Sequence, residues 1–140
     1  MEDKIQELIS KDEKEINLMS PLVWAYVGDA VYELYIRTYL VDTTRLNPNK
    51  LHIASIGYVK ASSQAKLLLK LMPELSEKEQ DIVRRARNTK NHHLPKNANI
   101  ADYSYSTAFE GLIGYLYLTK QNNRLSEIIT KCINNKETDE

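Results

Sequence analysis

The sequence predicts an all-α fold. Three observations carry that prediction: apolar residues recur at the three- and four-residue spacing of a helix face through most of the chain, no stretch alternates as a half-buried strand does, and helix-start signals stand where the periodic segments begin. At 140 residues and 42% hydrophobic content, the chain suffices for one compact domain with its own core.

Residues 1–15 are charged and long enough for a short helix. Ser20 as N-cap with Pro21 at the first helical position opens a long helix to about Leu40, because proline has no N–H to waste there. Leu22, Val23, Tyr26, Val27, Ala30, Val31 and Leu34 fall at the three- and four-residue spacing of one face of it. "RLNPNK" reads as a connection, and one helix is expected from about Asn49 until just before Pro73. Ser76 with Glu79 forms a capping box for a helix reaching Arg87 or Asn88. "NTKNHHLPKNANI" lacks a period and reads as a loop; "ADYSYSTAFEGLIGYLYLTK" and "RLSEIITKCI" are helical again. The expected organisation is a charged segment over 1–15, one domain over 16–135 and an acidic tail over 136–140.

No run approaches the ~18 apolar residues of a membrane span, and "MEDKIQELISKDEKE" is too acidic for a signal or transit peptide, so the expected location is the cytoplasm, away from membrane. The single cysteine, Cys132, can form neither an internal disulfide nor, alone, a zinc site; it reads as an apolar filler. Net charge is zero, but the two ends are acidic, leaving ten acids and fifteen bases in residues 16–135. The body is therefore basic.

The four glycines, Gly28, Gly57, Gly111 and Gly114, all lie inside periodic segments, where each weakens its helix by about 1 kcal/mol relative to alanine. A missing side chain lets another backbone come close, so Gly28 is expected to meet the surface offered by Gly111 and Gly114. Asp29 follows the first of these glycines and Glu110 precedes the second, so such a crossing would make two acids converge. A shared proton or a hard cation such as Mg²⁺ relieves their repulsion. Alternatively each acid pairs with a Lys or Arg, and spacing alone leaves both readings open.

"YVGDAVYEL" resembles the signature helix of the ribonuclease III family, and "STAFEGLIGYLYL" resembles that family's second catalytic helix, in the right order. "SPLVWAYVGDAVYELYIR", "VKASSQA", "VRRARN", "LPKNA" and "YSTAFEGLIGYLYL" are similar to its small Mini-III branch, which lacks a double-stranded-RNA-binding domain; the resemblance covers about residues 16–134. It implies an all-helical endonuclease-domain bundle, a homodimer with two sites in one groove, cleavage of double-stranded RNA, and precursor 23S ribosomal RNA as substrate, with no DNA expected. By position it implies that Asp29 and Glu110 are the catalytic residues that hold Mg²⁺, with Mn²⁺ as a substitute. Larger family members carry two further acids where this chain has Ala25 and Thr107, which leaves more of the coordination shell to water, substrate phosphate and the Thr107 hydroxyl. Glu33, one turn after Asp29, reads as solvated or ion-paired, with a reach to the metal through water as the alternative.

The stretch from Val83 to Lys96 holds Arg84, Arg85, Arg87, Lys90 and Lys96 and no acid, a composition suited to phosphates; a solvated face is its plainer reading. His92 and His93 are adjacent, so their side chains diverge; they read as RNA donors or exposed loop residues, not a metal pair. Lys60, Lys66 and Lys70 are further candidates for RNA contact. Most tyrosines fall at helical spacing and read as core or dimer interface, leaving Tyr103 and Tyr105 as candidates for RNA contact. The readings that compete with a nuclease are a noncatalytic RNA-binding or ribosome-assembly factor on the same fold, and a helical adaptor for proteins.

Overall fold

The computed structural model describes residues 4–89 and 99–138. Among these residues seven α-helices follow in order: α1 Glu13–Asn17, α2 Pro21–Thr43, α3 Pro48–Val59, α4 Ala61–Leu71, α5 Glu77–Asn88, α6 Ile100–Leu118 and α7 Asn122–Thr138, with 3₁₀ turns at Lys4–Leu8 and Met72–Glu74. The described residues contain no strand, and no helix among them is long and apolar enough to cross a membrane. The all-α expectation holds.

α6 is the axis of the fold. Ser106 through Phe109 and Gly111 through Leu116 are buried on every side, as befits a helix surrounded by others. α2, α5, α4 and α7 pack around it, α2 most extensively. Phe109 meets Tyr32 edge-on with ring centroids 4.8 Å apart, an arrangement the aromatic quadrupoles favour. Cys132 is buried in this core, and desolvation pushes its thiol up to about 12, consistent with an inert filler.

Local caps start the helices where their chemistry predicts. Ser20 Oγ accepts from the Leu22 N–H, and the Ser76–Glu79 capping box is complete. Arg124 of α7 donates to both oxygens of Glu79 at 2.8 Å, so the residue that caps α5 also anchors α7 to it. The segment ahead of α2 is docked on the domain. Gln6 Nε2 donates to the Tyr117 carbonyl at 2.8 Å, Trp24 Nε1 donates to the Ile16 carbonyl at 2.8 Å, and the Tyr115 hydroxyl reaches Glu13 and Asn17.

One expectation is corrected. The single helix expected from Asn49 to Pro73 is two, broken at Lys60, whose ψ of 153° is extended. No proline or glycine marks the break; it lets α4 turn its own apolar stripe, Leu67, Leu68 and Leu71, into the core. α2 buries Trp24, Ala25, Gly28, Tyr32, Ile36 and Leu40. The apolar set that carries its helical period lies largely on the other side: Tyr26 is 82% and Leu34 64% exposed. The helix is apolar on two faces, and the chain itself covers one.

Candidate active site

The α2–α6 crossing is built on glycine. A Cβ added to Gly28 would stand 1.8 Å from the Glu110 carbonyl oxygen and 2.7 Å from the Gly114 nitrogen; one added to Gly114 would stand 1.8 Å from the Trp24 carbonyl oxygen. Backbone therefore lies on backbone. Gly111 does not share this contact: its small surface receives the Ala86 side chain of α5. Gly57 meets nothing nearer than the Lys136 side chain at 3.8 Å, so no close approach requires it.

The crossing brings Asp29 and Glu110 together. They line an open cleft of about 200 Å³ with Leu22, Ala25, Tyr26, Tyr103 and Thr107. Burial first, and then a hydrogen bond and charge repulsion from Asp29, push the Glu110 carboxyl up to about 8, against the pull of the Gln64 amide. Burial beside Asp29 thus favours the protonated form of Glu110. Among the described residues neither carboxylate makes an ion pair with a Lys or Arg, so the alternative of separate basic partners is not realised there. Glu33 pairs with Arg37 at 2.9 Å, and its charge also disfavours the Glu110 anion. The described residues hold no group of three or more Asp, Glu, His or Cys arranged as a metal cage. What the cleft offers is two carboxylates and the hydroxyl of Thr107, all oxygen donors.

The basic residues divide. Arg84 is exposed and pairs with Asp81, and Arg87 is exposed with its guanidinium 5.9 Å from the Tyr105 ring centroid. Arg85 faces inward: it donates to the Asn17 carbonyl at 2.6 Å and lies 4.9 Å from the Trp24 ring centroid, where it holds the N-terminal segment on the domain. Lys60 is exposed at the α3–α4 break. Lys90, His92, His93 and Lys96 lie outside the described residues. Tyr103 walls the cleft, and Tyr105 is half-buried beside Arg87.

One residue at the site is absent from the expectations above. Gln64 is buried beside Glu110 and accepts a hydrogen bond from Ser106. Its signal was present: Gln64, Leu67, Leu68 and Leu71 share one helical stripe, and a polar residue on an apolar stripe needs a reason.

The family model described as "Ribonuclease III domain" matches residues 22–121, from the start of α2 to the end of α6, the two helices that carry Asp29 and Glu110. The chain belongs to the ribonuclease III family, in its Mini-ribonuclease 3 branch. It is 50% identical to the Mini-ribonuclease 3 of Symbiobacterium thermophilum over 79% of this chain and 85% of that protein. It is 43% identical to the Mini-ribonuclease 3 of Staphylococcus aureus over 89% and 94% of the two chains. A crystal structure of a Fusobacterium nucleatum protein superposes with a TM-score of 0.78 at 31% identity, covering 87% of this chain and 98% of that one. Membership makes the protein an endoribonuclease.

Proposed function

We propose that the protein is a Mg²⁺-dependent endoribonuclease that cuts double-stranded RNA as a homodimer in the cytoplasm, with precursor 23S ribosomal RNA as its substrate. The observation carrying this reading is the convergence of Asp29 and Glu110 in an open cleft, with no basic partner among the described residues. The donor set fits the ion. Mg²⁺ takes one or two carboxylates and keeps several waters, so a site short of a full protein cage suits it, and Mn²⁺ suits the same oxygens. When bound there, the ion supplies Lewis acidity for activating water and for the charge that develops on the phosphate.

The chain's own residues do the rest. Gly28 and Gly114 set the spacing of the two carboxylates through the backbone contact, and the cleft that holds them is open, with Leu22, Ala25, Tyr26, Tyr103 and Thr107 completing its lining. Cleavage of a labelled RNA duplex, beside its single strands and the equivalent DNA, tests the reading. Cutting of the RNA duplex alone, abolished by chelator and restored by Mg²⁺ or Mn²⁺, is expected. Duplex binding without cutting under any metal would select the noncatalytic RNA-binding factor instead.

The second apolar face of α2 supports the dimer. Tyr26, Val27, Val31, Leu34 and Tyr35 line a groove of about 630 Å³ that Asp29 also borders. An apolar patch of this kind marks an interface, and a second copy placed on it sets two clefts side by side for the two strands of a duplex. Leu34→Glu is expected to convert a sedimenting dimer to a folded monomer and to lose concerted cutting of both strands. A wild-type protein that sediments as a monomer at micromolar concentration while still cutting both strands in one encounter would contradict it.

Phosphate contact is assigned to Arg84, Arg87, Lys90 and Lys96, with Lys60 and the donors His92 and His93; Arg85 is withdrawn from that set because its guanidinium is occupied inside the domain. Replacing Arg84, Arg87 and Lys90 with alanine is expected to weaken binding to all RNA duplexes alike, since phosphates carry no sequence information. The slope of log affinity against log salt should flatten by about 2, at roughly 0.7 to 0.9 per contact. Unchanged affinity and slope would make these residues a solvated face.

A further inference from the structure

Gln64 is only 1% exposed in the first turn of α4. Its Oε1 accepts a hydrogen bond from Ser106 Oγ at 2.5 Å, which fixes the orientation of the amide. Its Nε2 makes no hydrogen bond of ordinary geometry, yet the amide lies close enough to Glu110 to favour the carboxylate over the acid. Leucine, which occupies the next three positions of the same stripe, would fill the space without burying an unpaired donor.

The placement is specific. Ser106 and Glu110 are four residues apart on α6 and so stand on one face, one turn above the other. Gln64 reaches across from α4 to both, tied to the first by its oxygen and facing the second with its nitrogen. The extended backbone at Lys60 begins a separate α4 four residues before Gln64, so the break accounts for how this side chain arrives at α6 rather than continuing along α3.

We propose that Gln64 is a positioning residue for Glu110: anchored by Ser106, its amide nitrogen holds one carboxylate oxygen and leaves the other for the cation shared with Asp29. The role rests on the reading of the pair as a metal site. Partners that orient ligands in this way are worth about 10-fold or more in metal affinity.

The test is calorimetric titration of Mn²⁺ into the RNA-free protein, together with its melting temperature and the Mg²⁺ concentration giving half-maximal cleavage. Gln64→Leu keeps the volume and removes the amide; about 10-fold weaker Mn²⁺ binding and a matching rise in half-saturating Mg²⁺ are expected. Ser106→Ala, which frees the amide to rotate, is expected to shift both in the same direction by less. A lower melting temperature with unchanged Mn²⁺ affinity in Gln64→Leu would mean a packing role only and overturn the proposal. If Gln64→Leu does not fold, unchanged Mn²⁺ affinity in Ser106→Ala overturns it alone. A wild-type protein that binds no Mn²⁺ removes the metal reading and this role together, whereas wild-type binding unaltered in both variants removes only this role.

Discussion

Gly28→Ala is expected to force α2 from α6 and to lose stability and cleavage together. The added methyl would stand 1.8 Å from the Glu110 carbonyl oxygen, and because it and its neighbour are both tied to backbone, no rotamer change can relieve the clash. A loss of at least about 3 kcal/mol, the upper end of ordinary overpacking, should appear in urea unfolding. Whatever folded fraction remains would hold Asp29 and Glu110 further apart, and a misplacement of about 1 Å can cost on the order of 100-fold in rate. Gly114→Ala should behave alike, since its methyl would meet the Trp24 carbonyl at the same 1.8 Å. Gly57→Ala is the internal comparison: with nothing nearer than 3.8 Å, it should be neutral or gain up to about 1 kcal/mol from helix propensity. Equal losses in all three would show that the crossing is not what the glycines serve.

Asp29→Asn and Glu110→Gln are each expected to reduce cleavage on the order of 1,000-fold or more, about 4 kcal/mol of transition-state stabilisation, while the fold and duplex binding persist. In the absence of metal their effect on stability has the opposite sign. Glu110 is raised from 4.5 to about 8, by burial first and by Asp29 second. Between those values the folded chain holds a proton that the unfolded chain has released. The contribution is therefore fully present below the unfolded value and is lost as pH rises through about 8, at up to roughly 1.4 kcal/mol per pH unit. Glu110→Gln cannot lose that proton, so in chelator at pH 9 it should be a few kcal/mol more stable than the wild type and much nearer to it below pH 5. Asp29→Asn should shift in the same direction by less, because burial of Glu110 remains. Urea unfolding at the two pH values reads both, and a wild-type stability that rises from pH 6 to 9 relative to Glu110→Gln would contradict the paired site.

Signals confined to a few adjacent residues were legible in the sequence. Ser20 before Pro21, and Ser76 three residues ahead of Glu79, fix helix starts because the atoms that satisfy the first N–H groups are local. The convergence of the acids was legible for another reason. A glycine beside a carboxylate in an apolar helix is doubly unfavourable alone, and a single close crossing explains both residues. The buried face of α2 was not legible from period alone, since that helix is apolar on two sides and periodicity does not say which side belongs to the chain's own core. Gly28 lies with Trp24 and Tyr32 on the buried side, where the close crossing puts it. The break at Lys60 escaped because the packing of α4 on α6, not a local breaker, decides it. Arg85 escaped likewise: its partners, Asn17 and Trp24, are distant in sequence, and a run of bases does not reveal which member turns inward.

The most direct test of the paired carboxylates as a cation site is the number of protons released when Mn²⁺ binds the RNA-free protein, obtained by calorimetry in buffers of different ionisation enthalpy. With Glu110 at about 8, the pair holds close to one proton at pH 7, and a cation that takes both carboxylates must expel it. Release of about one proton per site at pH 7, falling toward zero by pH 9 and absent in Glu110→Gln, is the expected result. Mn²⁺ binding with no proton release at pH 7, or the same release from Glu110→Gln, would place the cation elsewhere and contradict the account.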